Sequence, residues 1–71
     1  MYVSVRYFQT DLGAYAGGTY IYQTNLPLVY GDKVIAPTQK ALRNKAIVMA
    51  TGLEKPKFPC KEIVEYDYDE Q

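Results

Sequence analysis

Apolar and polar positions alternate from the start of the chain. In Tyr2-Val3-Ser4-Val5-Arg6-Tyr7-Phe8, Val3, Val5 and Tyr7 fall on one face, Ser4 and Arg6 on the other. That period of two predicts a strand over 2–8. Residues 9–18 predict a loop, punctuated by Asp11, Gly13 and the Gly17-Gly18 pair. Thr19-Tyr20-Ile21-Tyr22-Gln23-Thr24 consists almost wholly of β-formers and predicts a second strand, antiparallel to the first. Pro27 lacks an N–H and breaks that ladder. A turn centred on Gly31-Asp32 leads into a short strand over 33–36, stopped by Pro37, and residues 38–44 form a polar hairpin loop. The run Ala46-Ile47-Val48-Met49-Ala50 is apolar on both faces. Periodicity alone also admits a helix segment there, but the length and the flanking turns favour a central strand over 45–51. Gly52 is expected to close it. Pro56 and Pro59 exclude regular helix or central strand from 53–60, and Phe58 between them is expected to plug one end of the core. Residues 61–68 predict a last strand or a short helical turn. Asp69–Gln71 is expected to fray.

Short β-segments at close spacing, with turn residues between them, predict an all-β fold. The expected architecture is a small SH3-like or partly open barrel of about five short antiparallel strands. It forms a single domain over 1–71, with a short acidic C-terminal tail at about 65–71. No sustained helix period, internal repeat or low-complexity tract is visible.

Composition narrows the chemistry. Eight basic residues balance eight acidic ones, so the strongly basic signature of many nucleic-acid binders is missing, although a local basic patch remains open. The absence of histidine removes the commonest general base. The single cysteine, Cys60, allows no intrachain disulfide and no cysteine-rich zinc site. A cytoplasmic compartment follows as the expectation, as does the absence of a membrane partner, since no stretch approaches the ~18 apolar residues of a transmembrane helix. No base or orienting group can be assigned to Cys60. Asp67 and Asp69 share a strand face but have no pocket, and Gly17-Gly18 is not followed by the residues of a phosphate loop. A non-enzymatic protein with no catalytic residues, no metal and no cofactor is expected.

The segment Tyr22-Gln23-Thr24, then Val29-Tyr30-Gly31-Asp32-Lys33-Val34-Ile35-Ala36-Pro37, then a loop, then Ala46-Ile47-Val48 has a familiar layout. It resembles the N-terminal 3′-end DNA-binding domain of primosomal protein N′, the replication-restart helicase. It is also similar to short stand-alone phage and prophage proteins of the same layout. The likeness covers roughly residues 19–50. It implies an SH3-like barrel and a DNA-binding role in an accessory protein of phage or prophage type. Each motif residue has a structural part to play: Gly31 supplies the tight turn, Asp32 can bond backbone N–H groups two residues on, and Val34 and Ala36 alternate inward. In that family an aspartate commonly precedes the tyrosine of the second strand, in the pocket for the DNA 3′ end. Ile21 holds that place here.

Two groups of residues carry candidate binding chemistry. Lys33, Lys40, Arg43 and Lys45 lie within 13 residues, opposed by Asp32. A hairpin would place Lys40 and Arg43 at its tip and Lys33 and Lys45 at its base, where they could contact phosphates or simply solvate the loop. Four such contacts would give a log–log salt slope of about −3 on single strands. Tyr20 and Tyr22 share a strand face; with Tyr2 or Tyr7 opposite they would make a stacking platform for bases, or fill the core with their hydroxyls wet. Tyr15 and Tyr30 fall in loops and are expected to be exposed, as candidates for a protein interface. The acidic stretch from Glu65 could solubilise the terminus, mimic phosphates toward a basic partner, or mask the basic hairpin. Two roles therefore stand open: a single-stranded nucleic-acid binding module, or a protein-interaction module, including a homodimer.

Overall fold

The computed structural model describes residues 1–68, so the expected fraying of Asp69–Gln71 lies outside the described residues. The fold is all-β. Its strands are β1 (Tyr2–Gln9), β2 (Ala14–Tyr15), β3 (Tyr20–Thr24), β4 (Lys33–Ala36), β5 (Asn44–Leu53) and β6 (Glu62–Ile63). They form one sheet in the order β4-β5-β1-β3-β6, with β2 added to the far end of β1.

β1 is central because both of its edges are used. It pairs antiparallel with β3, setting Val3 opposite Tyr22 and Val5 opposite Tyr20, and antiparallel with β5, setting Val5 opposite Val48 and Tyr7 opposite Ala46. β4 and β5 form the expected hairpin, with Val34 opposite Ala46. The alternation of β1 continues across the sheet. Val3, Val5, Tyr22, Val34, Ala36, Ala46, Val48 and Ile63 point into one core, which Leu28 joins from the segment after β3.

The C-terminal segment bends the sheet into a partly open barrel. β6 pairs with β3, and three residues later Tyr66 bridges Val34 of β4. The Ile35 N–H donates to the Glu65 carbonyl and the Asp67 N–H donates to the Lys33 carbonyl. The two outer strands of the sheet are thus joined through residues 62–67. The β3–β6 pair is parallel, a departure from the all-antiparallel expectation. A parallel pair needs a long crossover, and the run from Asn25 to Lys61 supplies it.

Four local expectations are corrected. Gly52 does not end the strand; β5 continues to Leu53, and Gly52, at φ 64°, sits beside a register shift against β1. A glycine in the left-handed region accommodates such a bulge at no steric cost. The loop over 9–18 contains β2, which pairs Tyr15 with Phe8. Asp32 bonds backward rather than forward: its carboxylate accepts from the Val29 N–H at 2.9 Å. Gly31, at φ 90°, supplies the turn, and the turn is stitched to β5 by Gly31 N–H to Val48 O and Val48 N–H to Asp32 O. Phe58 plugs nothing; it is 57% exposed. Leu28 joins the core, and Leu26 and Tyr66 pack against it.

Candidate functional site

Tyr7, Tyr20 and Tyr22 meet on the core-facing side of β1 and β3, and the structure gives them three different tasks. Tyr22 is a core residue, 4% exposed. Its hydroxyl donates to the Pro37 carbonyl at 2.7 Å. That bond uses its one proton, so in the 2.6 Å contact between the hydroxyls of Tyr7 and Tyr22, Tyr7 is the donor. Burial, then the hydrogen bond and charge of Tyr7 and the charge of Tyr20, push the Tyr22 hydroxyl above the ordinary tyrosine range. Tyr20 lies outside this chain. Its ring stacks on Tyr7 with centroids 4.8 Å apart and planes at 20°, and 51% of the residue stays exposed. Tyr2 faces the opposite side, paired with Gln23. Tyr22 thus fills the core, while Tyr20 keeps an exposed surface beside Tyr7.

This cluster floors a groove of about 460 Å³, within the ~300–1,000 Å³ typical of ligand sites. One wall is the β4–β5 loop, through Pro37, Thr38 and Gln39; the other is the segment Phe58-Pro59-Cys60-Lys61. A second hollow continues from Tyr7 and Tyr20 along the loop to Lys40 and Asn44. The loop wall is built rather than slack. The Asn44 side-chain amide reaches the carbonyls of Ala36 and Ala41 and the Thr38 hydroxyl, while Thr38 and Ala41 bond each other through backbone and side chain. Among the described residues, the lining of the groove and its extension includes Lys40 and Lys61 and no carboxylate.

The four hairpin cations do not form one open patch. The Lys33 ammonium lies 5.9 Å from the centroid of the Tyr15 ring. Arg43 pairs with Glu65, and the Lys45 ammonium is 3.9 Å from the buried carboxylate of Asp67. Glu65 and Asp67 of the acidic segment therefore lie against Arg43 and Lys45 of the basic hairpin. Lys40 alone among the four lies along the tyrosine cluster. Tyr15 is not an exposed loop residue: it is half-buried in β2, its ring edge-on to Phe8 at 5.2 Å. Tyr30 is exposed, at 72%.

The sequence reading missed Phe58 and Lys61 as groove residues. A signal was present in Lys55-Pro56-Lys57-Phe58-Pro59: an aromatic flanked by prolines and lysines cannot join a sheet interior and is held at the surface. Ile21 lines the groove and is half-buried. Among the described residues, no helix is long and apolar enough to cross a membrane. Comparison with protein-family models, with curated proteins and with solved structures finds no match to this chain.

Proposed function

We propose that this chain is a non-enzymatic binding module that holds single-stranded nucleic acid, DNA in the first instance, across the Tyr7–Tyr20 groove. One observation carries the reading. In a chain of zero net charge, the groove combines an exposed aromatic face with two lysines and, among the described residues, no carboxylate. Stacking rings beside cations are what a single strand needs, because every base has a π-face and every linkage a negative charge. The resemblance to the primosomal DNA-binding domain, and to phage-type accessory proteins, points the same way. Ile21 offers no polar atom to a terminal hydroxyl, so the strand is bound along its length, without preference for a free 3′ end.

Two phosphate contacts, at Lys40 and Lys61, give a salt slope of about −1.4 on single strands. Arg43, Lys45 and Lys33 contribute less than Lys40 and Lys61, because a carboxylate or an aromatic ring already lies beside each. Fluorescence anisotropy with a labelled single-stranded oligothymidylate, at two salt concentrations, tests the reading. Binding that weakens with salt and falls further in Lys40→Ala and Lys61→Ala supports it. Binding unchanged in both variants removes the site.

A second reading rests on a different surface. Val29 and Tyr30 are 60% and 72% exposed on the turn that Asp32 and Val48 hold rigid. Apolar side chains on a fixed turn suit contact with a protein, including a second copy of the chain. Loss of self-association in Tyr30→Ala, measured by sedimentation, would favour it.

A further inference from the structure

We infer that Phe58 is the second plate of an aromatic clamp, closing over a base that stacks on Tyr20. This rests on the nucleic-acid reading of the groove and adds a residue and a binding geometry to it. Phe58 and Tyr20 line the same groove and are both more than half exposed. Tyr20 spends one ring face on Tyr7. Among the described residues Phe58 has no ring partner, and the groove that both residues line has room for a flat group.

The backbone around Phe58 suits a closing part. Residues 54–60 make no main-chain hydrogen bond to another backbone group among the described residues. The segment is tethered at both ends: Leu53 pairs with Tyr2, and the Lys61 carbonyl accepts from the Gln23 N–H at 3.0 Å. Pro56 and Pro59 limit its conformations, and inside it the Cys60 thiol reaches the Phe58 carbonyl at 3.8 Å. A segment without ladder bonds between fixed ends can shift without breaking the sheet. A base entering between the rings covers apolar surface on both plates, and Lys61, three residues on, lies beside the strand that carries it. The occupant is a nucleobase of an anionic strand; neither clamp residue carries a charge that would select a different ring.

The test uses the full chain and an unlabelled single-stranded oligothymidylate, read by NMR and by anisotropy competition. The wild type should shift the thymine methyl and H6 resonances upfield, the mark of a base between two rings. Phe58→Ala and Tyr20→Ala should each weaken binding about tenfold, within the range of one lost base–aromatic stack, and each should reduce the upfield shift. Phe58→Leu should keep the apolar volume and still reduce the shift. Because Phe58 is exposed, its variants should melt with the wild type. If the oligonucleotide binds and Tyr20→Ala weakens it while Phe58→Ala does not, the clamp is wrong and the groove reading stands. If the wild type does not bind at all, the groove reading fails and the clamp fails with it.

Discussion

Replacing Tyr22 by phenylalanine removes one oxygen and tests the hydroxyl chain that joins β1, β3 and the loop wall. The ring stays, so the apolar packing among Val3, Val34 and Ala46 is unchanged. Two hydrogen bonds go: Tyr22 to the Pro37 carbonyl and Tyr7 to Tyr22. Both are partly buried at the floor of a groove that water can enter, so neither group is left wholly dry. The cost is therefore the net value of the bonds, about 1–2 kcal/mol for the pair. In a domain of this size, each kilocalorie lowers the melting temperature by about 4–8 °C. The variant should melt roughly 5–15 °C below the wild type. The direction of the Tyr22 shift adds a pH signature. Its folded pKa is raised, by burial first and the Tyr7 hydrogen bond second. The folded state then holds a proton that the unfolded chain gives up near pH 10. The contribution is complete below about pH 10 and is lost as pH rises from there toward the folded value. The wild type should lose stability more steeply than Tyr22→Phe above about pH 10. Thermal unfolding gives the melting temperatures, and urea unfolding of both proteins from pH 8 upward gives the alkaline slopes. Equal melting temperatures, or the same alkaline slope in both proteins, would refute the hydroxyl chain.

Thr24 tests the junction between β3 and the closing segment. Its buried hydroxyl donates to the Ile63 carbonyl at 2.8 Å and accepts from the Leu26 N–H at 3.0 Å. Thr24→Val keeps the shape and strands both groups, at a cost on the order of 2–4 kcal/mol; Thr24→Ser should recover most of that in the same denaturant titration. The Arg43–Glu65 pair should be nearly neutral for stability. Its side chains are 64% and 40% exposed, so a double-mutant cycle should give a coupling below about 1 kcal/mol that shrinks further in high salt.

The strands were legible where local chemistry sets them. Val3, Val5 and Tyr7 declare β1 by alternation, and Pro37 ends β4 because it cannot donate to a ladder. The partly open barrel was legible from the number and spacing of the strands, but the contacts that close it were not, because they are main-chain bonds at Ile35 and Lys33 to residues some thirty positions away. Gly52 misled because a glycine in a strand signals an end and a bulge alike; the Leu53–Tyr2 pairing decides between them. Phe58 misled for a related reason. Its apolarity points inward, but Pro56 and Pro59 hold the chain outside the sheet, and the core is already filled by Leu28 and Ile63. At the site, Tyr20 and Tyr22 were found together because they alternate on one strand. Their separation into an exposed plate and a buried hydroxyl depends on Pro37 and Tyr7, which only the fold brings near.

The groove is the centre of the account, and chemical-shift mapping reaches it most directly. Uniformly labelled protein would be titrated with a short single-stranded oligothymidylate at low salt. The account places the largest shifts on Tyr7, Tyr20, Gln39, Lys40, Phe58 and Lys61, with Tyr30 and Val29 unmoved. Shifts confined to the Val29–Tyr30 turn, or no shifts at millimolar oligonucleotide, would contradict it.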